Sequence, residues 1–141
     1  MNPFTDLERE YLAEGMKLAR IATVAPDGTP HVVPVGWWLD PILGVIEVRG
    51  RDLKATKKFR DVAATGRAAI VIDDLASTDP WRPRGIEVRG RAEALDEDQP
   101  AIRIHPERIV SWGIESGELG KRYARSVGLR EADEVRQTRA A

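Results

Sequence analysis

The sequence predicts a small mainly β (α+β) fold, a β-barrel with a few flanking helices. Three observations carry this. Five or six short stretches have strand character, with β-branched residues or period-two alternation. Turn signals separate them at intervals of roughly ten residues, the spacing of small barrels. The 141 residues suit one domain, of a size that buries about two thirds of its unfolded surface. We expect that domain to span 1–128, with 129–141 as a polar tail.

Thr5 and Asp6 can cap a first helix whose apolar positions are Leu7, Tyr11, Leu12, Met16 and Leu18. The period then changes. Residues 19–25 read as a strand, 26–29 (Pro-Asp-Gly-Thr) as a hairpin turn, and 30–39 as the return strand. Val33, Val35, Trp37 and Leu39 share one face of that strand. Val32, Pro34, Gly36 and Trp38 share the other. Pro34 donates no ladder bond and Gly36 has no side chain, so this second face is either a barrel edge or a ledge for a ligand.

Asp40-Pro41 turns the chain into a third strand over 44–49, and a basic helix follows over 54–64, with Gly66 stopping it. Between positions 49 and 60 stand Arg49, Arg51, Lys54, Lys57, Lys58 and Arg60 against one acid, Asp52. A strand running into a helix that opens Thr56-Lys57-Lys58 can hold an anion, because free N–H groups and the helix dipole favour a phosphate there. The alternative is a solvated basic face.

Residues 68–72 are apolar on both faces and read as a doubly buried central strand. The stretch 73–84 reads as a loop with three acids and two prolines, in which Trp81 is held beside Arg82 and Pro83. Trp81 is either a core anchor or a ligand-facing aromatic. Residues 85–95 alternate cleanly, with Ile86, Val88, Ala92 and Ala94 opposite Glu87, Arg89, Arg91 and Glu93. Glu87-Val88-Arg89-Gly90-Arg91 repeats positions 47–51 letter for letter, but the flanks differ, so no internal repeat is inferred. A last strand over 101–114, broken at His105-Pro106, precedes a short helix over 119–127.

Several chemistries are excluded. There is no cysteine, hence no disulfide, thiolate site or Cys nucleophile. The two histidines, His31 and His105, lack metal-ligand spacing, and the scattered acids of 73–79 predict no metal. No G-x-G-x-x-G or G-x-S-x-G motif is present. A pI of about 6.2 argues against a nucleic-acid partner, which usually brings a pI above about 9. No apolar run approaches the ~20 residues of a membrane span and the N-terminus has no signal-peptide core, so no membrane association and a cytoplasmic location are expected. An anion pocket, a Pro/Gly strand face and Trp37, Trp38, Trp81 and Trp112 together could hold a flat phosphorylated cofactor that carries the chemistry.

The sequence resembles the pyridoxamine-phosphate-oxidase-like split β-barrel superfamily, FMN-binding-like in fold, and within it the deazaflavin (coenzyme F-420)-dependent oxidoreductases. The matching stretches are 22–35, 56–62, 71–74, 80–85 and 102–106, and their order and spacing make the match specific. The branch it is most similar to includes the late reductases of tetracycline-antibiotic pathways. The resemblance implies a homodimer with sites at the subunit interface. It implies that Thr56, Lys57 and Lys58, beside Arg49, bind the cofactor phosphate, that Pro34, Val35 and Gly36 lie along the ring, and that Trp81, Arg82 and Pro83 cover it. Hydride delivery to an electron-poor C=C of a small organic substrate is implied, with no assignable catalytic acid. FMN is the alternative cofactor; a non-catalytic flavin, deazaflavin or haem binder is the alternative function.

Overall fold

Asp6–Ala13 forms helix α1 because Thr5 closes a capping box. Its hydroxyl accepts the Glu8 N–H at 3.1 Å while the Glu8 carboxylate accepts the Thr5 N–H at 2.9 Å. The computed structural model describes residues 2–15 and 17–128. The helix ends before the expected Met16 and Leu18: Gly15 takes a φ of 72°, Leu18 is exposed, and Met16 lies outside the described residues, as does the expected tail.

Strands β1 (Ala19–Val24) and β2 (Pro30–Val35) form the predicted hairpin. Gly28, at φ 89°, supplies the left-handed turn residue, and its N–H reaches the Ala25 carbonyl at 2.8 Å. The return strand is broken at Gly36, after which β3 (Trp37–Leu39) pairs with β4 (Ile46–Val48). A 3-10 turn at Leu53–Ala55 leads into helix α2 (Lys57–Thr65). Thr56 is therefore the N-cap and not a helical residue, and Gly66, at φ 69°, is the C-cap.

Three long antiparallel strands follow: β5 (Arg67–Thr78), β6 (Trp81–Leu95) and β7 (Ala101–Trp112). The expected loop over 73–84 is instead the distal half of the β5–β6 hairpin, paired as far as Thr78↔Trp81. The strand is not broken at His105-Pro106; β7 runs through it, and a register shift opposite Arg89/Gly90 absorbs the irregularity. The expected helix over 119–127 is strand β8 (Arg122–Ser126), paired with β7. Residues 68–72 are central, between β1 and β6, but only Ala68, Ile70 and Ile72 are buried; Ala69 and Val71 are half-exposed.

The strand order is β2-β1-β5-β6-β7-β4-β3, with β8 also on β7. β2 and β3 stand at opposite ends of that order, yet only Gly36 separates them in the chain. The sheet therefore curls until its ends approach, which makes a barrel. Along the edge of β7 that faces away from β6, Ile102–Ile104 pair with β4 and Arg108–Trp112 with β8, so the barrel is split there. Inside it Ile21, Ile46, Ile70, Ile72, Ile86, Ile102, Ile104 and Ile109 are fully buried, each contributing about 1.5–3 kcal/mol.

Helix α1 is clamped to the β5–β6 hairpin through Tyr11, which is 3% exposed. Its hydroxyl donates to Asp74 Oδ1 at 2.9 Å; Arg84 Nε donates to the same oxygen at 2.8 Å and Arg84 Nη2 to Glu14 at 2.8 Å. Lys17 and Arg84 lie 4.5 and 4.9 Å from the Tyr11 ring centroid. Burial and the bond to Asp74 push the phenol pKa well up, so Tyr11 stays a neutral donor. Tyr11→Phe should lower stability by about 1 kcal/mol, read as a shift of the urea midpoint. An unchanged midpoint would remove the hydroxyl from the clamp.

Candidate functional site

At the start of α2 the Thr56 hydroxyl accepts the Phe59 N–H at 3.4 Å, and the amides of Lys57 and Lys58 before it have no intrahelical carbonyl to reach. Lys57 reaches back along its own helix. Its ammonium donates to both oxygens of Asp61, at 2.9 and 3.2 Å. Asp61 is 4% exposed and also accepts the Thr23 hydroxyl at 2.9 Å. Lys57 above all, aided by Thr23, holds the Asp61 carboxyl below its ordinary range against the effect of burial. Lys57 is thus a fixed, partly neutralised charge.

The other basic residues divide sharply. Arg49 donates to the Gln99 carbonyl at 3.1 Å and to Glu47 at 3.0 Å. Lys54 pairs with Asp96 at 2.7 Å, and Arg60 donates to the Ala55 carbonyl at 2.8 Å. Among the described residues, Lys58 and Arg51 have no such partner. Lys58 is half-buried, so it is the uncommitted cation at the helix start.

The second element is the outer face of β2. Val35 is 7% exposed, its side chain belongs to the core and it pairs with Ala19 of β1, so its side chain does not face the ledge. Val32 and Pro34 are exposed, as are Gly36 and Trp38 beyond them. A Cβ at Gly36 would meet nothing within 4 Å. Ala25 donates to the Thr29 carbonyl at 3.0 Å, and alternation from that pair turns the backbone groups of Pro30, Val32 and Pro34 away from β1. Two of these are prolines, so the free edge offers carbonyl acceptors and one amide donor. This blunts edge pairing and leaves an open backbone ledge.

The third element stands apart. Trp81, Arg82 and Pro83 line a groove of about 940 Å³ with Val71, Trp112 and Leu119. Arg82, Arg89, Arg108 and Arg122 bring four positive charges to it against Glu87 and Glu118. None of Pro34, Val35, Gly36, Arg49, Thr56, Lys57 and Lys58 lines this groove. One chain therefore does not bring the Trp81 segment together with the other candidate residues. Trp81 is 57% exposed, which rules out a core anchor.

Sequence reading missed Asp61 and Thr23. Asp61 carried a signal, since it lies four residues after Lys57 on one helix face; Thr23 carried none, because it is brought there by the packing of α2 on β1. Among the described residues no three His, Asp or Glu side chains gather in a way that could hold a metal ion. No helix there is long and apolar enough to cross a membrane.

Residues 6–138 match the family described as Pyridoxamine 5'-phosphate oxidase. The chain belongs to this family. A 5a,11a-dehydrotetracycline/5a,11a-dehydrooxytetracycline reductase of Streptomyces rimosus is 46% identical to it over 127 residues, 83% of this chain and 87% of that protein. Among solved structures, a haem-binding protein from Mycobacterium smegmatis superposes with a TM-score of 0.67 at 17% identity, over 89% of this chain and 59% of that one. An F-420 reductase superposes with a TM-score of 0.55 at 24% identity, over 71% of this chain and 94% of that one. At such identities these two likenesses carry the fold, and the split barrel of this pyridoxamine 5'-phosphate oxidase family member agrees with them.

Proposed function

We propose that this family member is a cytoplasmic, homodimeric oxidoreductase that uses reduced coenzyme F-420 to saturate an electron-poor C=C of a small organic substrate. The observation that carries the reading is the 46% identity, over most of both chains, to a reductase of dehydrotetracyclines. The site residues fit such a cofactor. The start of α2 offers Lys58 and free amides to the phosphate, with Lys57 steadied beside them by Asp61. The ledge of Pro34 and Gly36 leaves room for a flat ring against open backbone. A second copy would bring its Trp81, Arg82 and Pro83 over that ring, which accounts for their distance from the other residues in one chain.

When bound, the reduced deazaflavin supplies the hydride for one alkene carbon; a solvent proton completes the other, giving a saturated product and oxidised cofactor. The chain's own part is placement. Lys58 and the α2 amides anchor the phosphate, and the β2 ledge fixes the plane of the ring. The tryptophan-bearing segment excludes water from the reacting faces.

The test is a tryptophan-fluorescence titration with F-420 and, separately, FMN, followed by oxidation of reduced F-420 on adding an enone. Tight F-420 binding with weak FMN binding and turnover is the expected result. FMN binding alone would move the assignment to a flavin oxidoreductase. F-420 binding without turnover would make the protein a carrier, and binding of neither would overturn the cofactor reading.

A further inference from the structure

Two adjacent tryptophans in β3 border one cavity but differ in exposure. Trp37 packs against the core, and its indole N–H donates to the Lys17 carbonyl at 2.8 Å. Trp38 points the other way and is 57% exposed. Both tryptophans line a second cavity, of about 550 Å³, together with Leu12 and Ala13 of α1, Leu39 of β3 and Pro41 just beyond it. The turn that follows holds Ile42 and Leu43 at 83% and 60% exposure. A concave apolar site walled by aromatics, of this volume, is what small organic ligands occupy.

The electrostatics select among such ligands. The cations that line the cavity, Arg9 and Lys17, are already committed. Arg9 pairs with Asp6, and Lys17 with Glu14 at 3.0 Å, with the ammonium also over the Tyr11 ring. An ionised ligand would find no uncommitted counter-charge, whereas a neutral flat ring system can stack on the indole. Chain length fixes where this happens. Trp38 lies two residues beyond Gly36 and four beyond Pro34, all three exposed, and two residues of chain place its Cα at most about 7 Å from that of Gly36.

From this placement we infer that the cavity between α1 and β3 is the subsite for the flat, neutral, fused-ring part of the substrate, and that Trp38 is its specificity-determining residue. The inference rests on the reading of Pro34–Gly36 as the ring ledge, since that sets the cavity at the end of the cofactor.

The test uses the full chain and 1-aminoanthracene, a neutral three-ring fluorophore, titrated without cofactor. The native protein should bind it saturably. Trp38→Ala should weaken binding about tenfold or more, and Trp38→Phe much less, because a phenyl ring keeps a stacking surface. Ala13→Phe, at an exposed lining position, should weaken binding comparably by filling the cavity and gives a second route should Trp38→Ala fold poorly. With F-420 present, Trp38→Ala should raise the KM for a fused-ring enone about tenfold while the cofactor Kd stays within about twofold. Probe binding unaltered in both Trp38→Ala and Ala13→Phe, or an unaltered KM, would overturn the inference while leaving the cofactor reading intact. Failure of the native protein to bind F-420 would overturn the cofactor reading instead, and the probe titration alone would then decide whether the cavity is a ligand site.

Discussion

Replacing Glu8 by alanine should cost about 3–5 kcal/mol of folding stability, the range for removing one partner of a buried ion pair. Glu8 is fully buried and its carboxylate faces the Arg125 guanidinium of β8, with Nη1 to Oε2 at 3.0 Å. Arg125 also donates to the Pro3 carbonyl at 2.9 Å and lies 4.7 Å from the Tyr123 ring centroid. Alanine leaves that guanidinium, only 17% exposed, without its counter-charge, and it opens the capping box of α1 as well. Arg125→Ala should be comparably severe from the other side, since it strands a buried carboxylate. Burial raises the pKa of Glu8, but the bonds from Arg125 and the Thr5 amide outweigh it, and the group titrates below its ordinary 4.5. The sign follows: its contribution is complete above pH 4.5 and is lost as pH falls through the depressed value. Urea titrations at pH 7 and at pH 3 measure both effects. A loss below about 1 kcal/mol at neutral pH would mean that the pair is no more than a surface contact.

That pair also explains why the C-terminal strand was not legible. Arg122–Ser126 reads Arg-Tyr-Ala-Arg-Ser, which has no period-two apolar face, and all but the half-buried Arg125 are exposed. Its strand state comes from the β7 edge and from Arg125 reaching Glu8, partners 117 residues apart. The distal β5–β6 hairpin was hidden for a related reason. Its residues project beyond the core with mostly exposed side chains, so burial imposes no alternation on them, and Pro80 and Pro83 read as loop signals. By contrast, the first hairpin, the α1 cap at Thr5, the α2 stop at Gly66 and the alternation of 85–95 were legible because each rests on local chemistry: a left-handed glycine, a hydroxyl cap, or a sheet with one buried face.

The five residues shared by positions 47–51 and 87–91 show how far local sequence can mislead. In β4 the motif ends a short strand, Glu47 accepts from Arg103 at 2.9 Å, and Gly50 stands in open space. In β6 it lies mid-strand, and a Cβ on Gly90 would sit 1.9 Å from the His105 carbonyl oxygen. The same letters thus meet unrelated demands, which agrees with reading them as coincidence. For the candidate site, residue types and spacing indicated a basic helix start and a bare strand face. The i,i+4 spacing could indicate Asp61 beside Lys57, but not the bond from Thr23 that also holds Asp61, because that depends on how α2 lies on β1.

Lys58→Ala should weaken F-420 binding by about 1–3 kcal/mol, roughly 5- to 150-fold, the scale of a charge-assisted contact to phosphate. Lys58 is the half-buried cation at the α2 start with no ion pair of its own among the described residues, so its whole charge is available to the ligand. Lys57→Ala should weaken binding over the same range by a different route. It removes a donor and also leaves the buried Asp61 carboxylate uncompensated, a negative charge close to where the phosphate would lie. Asp61→Asn separates the two routes: binding should hold or tighten, because the repelling charge is gone while Lys57 remains. Arg60→Ala controls for net charge, since Arg60 is exposed on the same helix and donates to the Ala55 carbonyl; it should leave the titration nearly unchanged. The Lys58→Ala loss should also shrink at high salt, as expected for an ion contact that solvent still reaches. Fluorescence titrations of the four variants at two ionic strengths measure this directly. Unchanged affinity in both lysine variants would remove the phosphate from the start of α2, whatever cofactor the protein proves to bind.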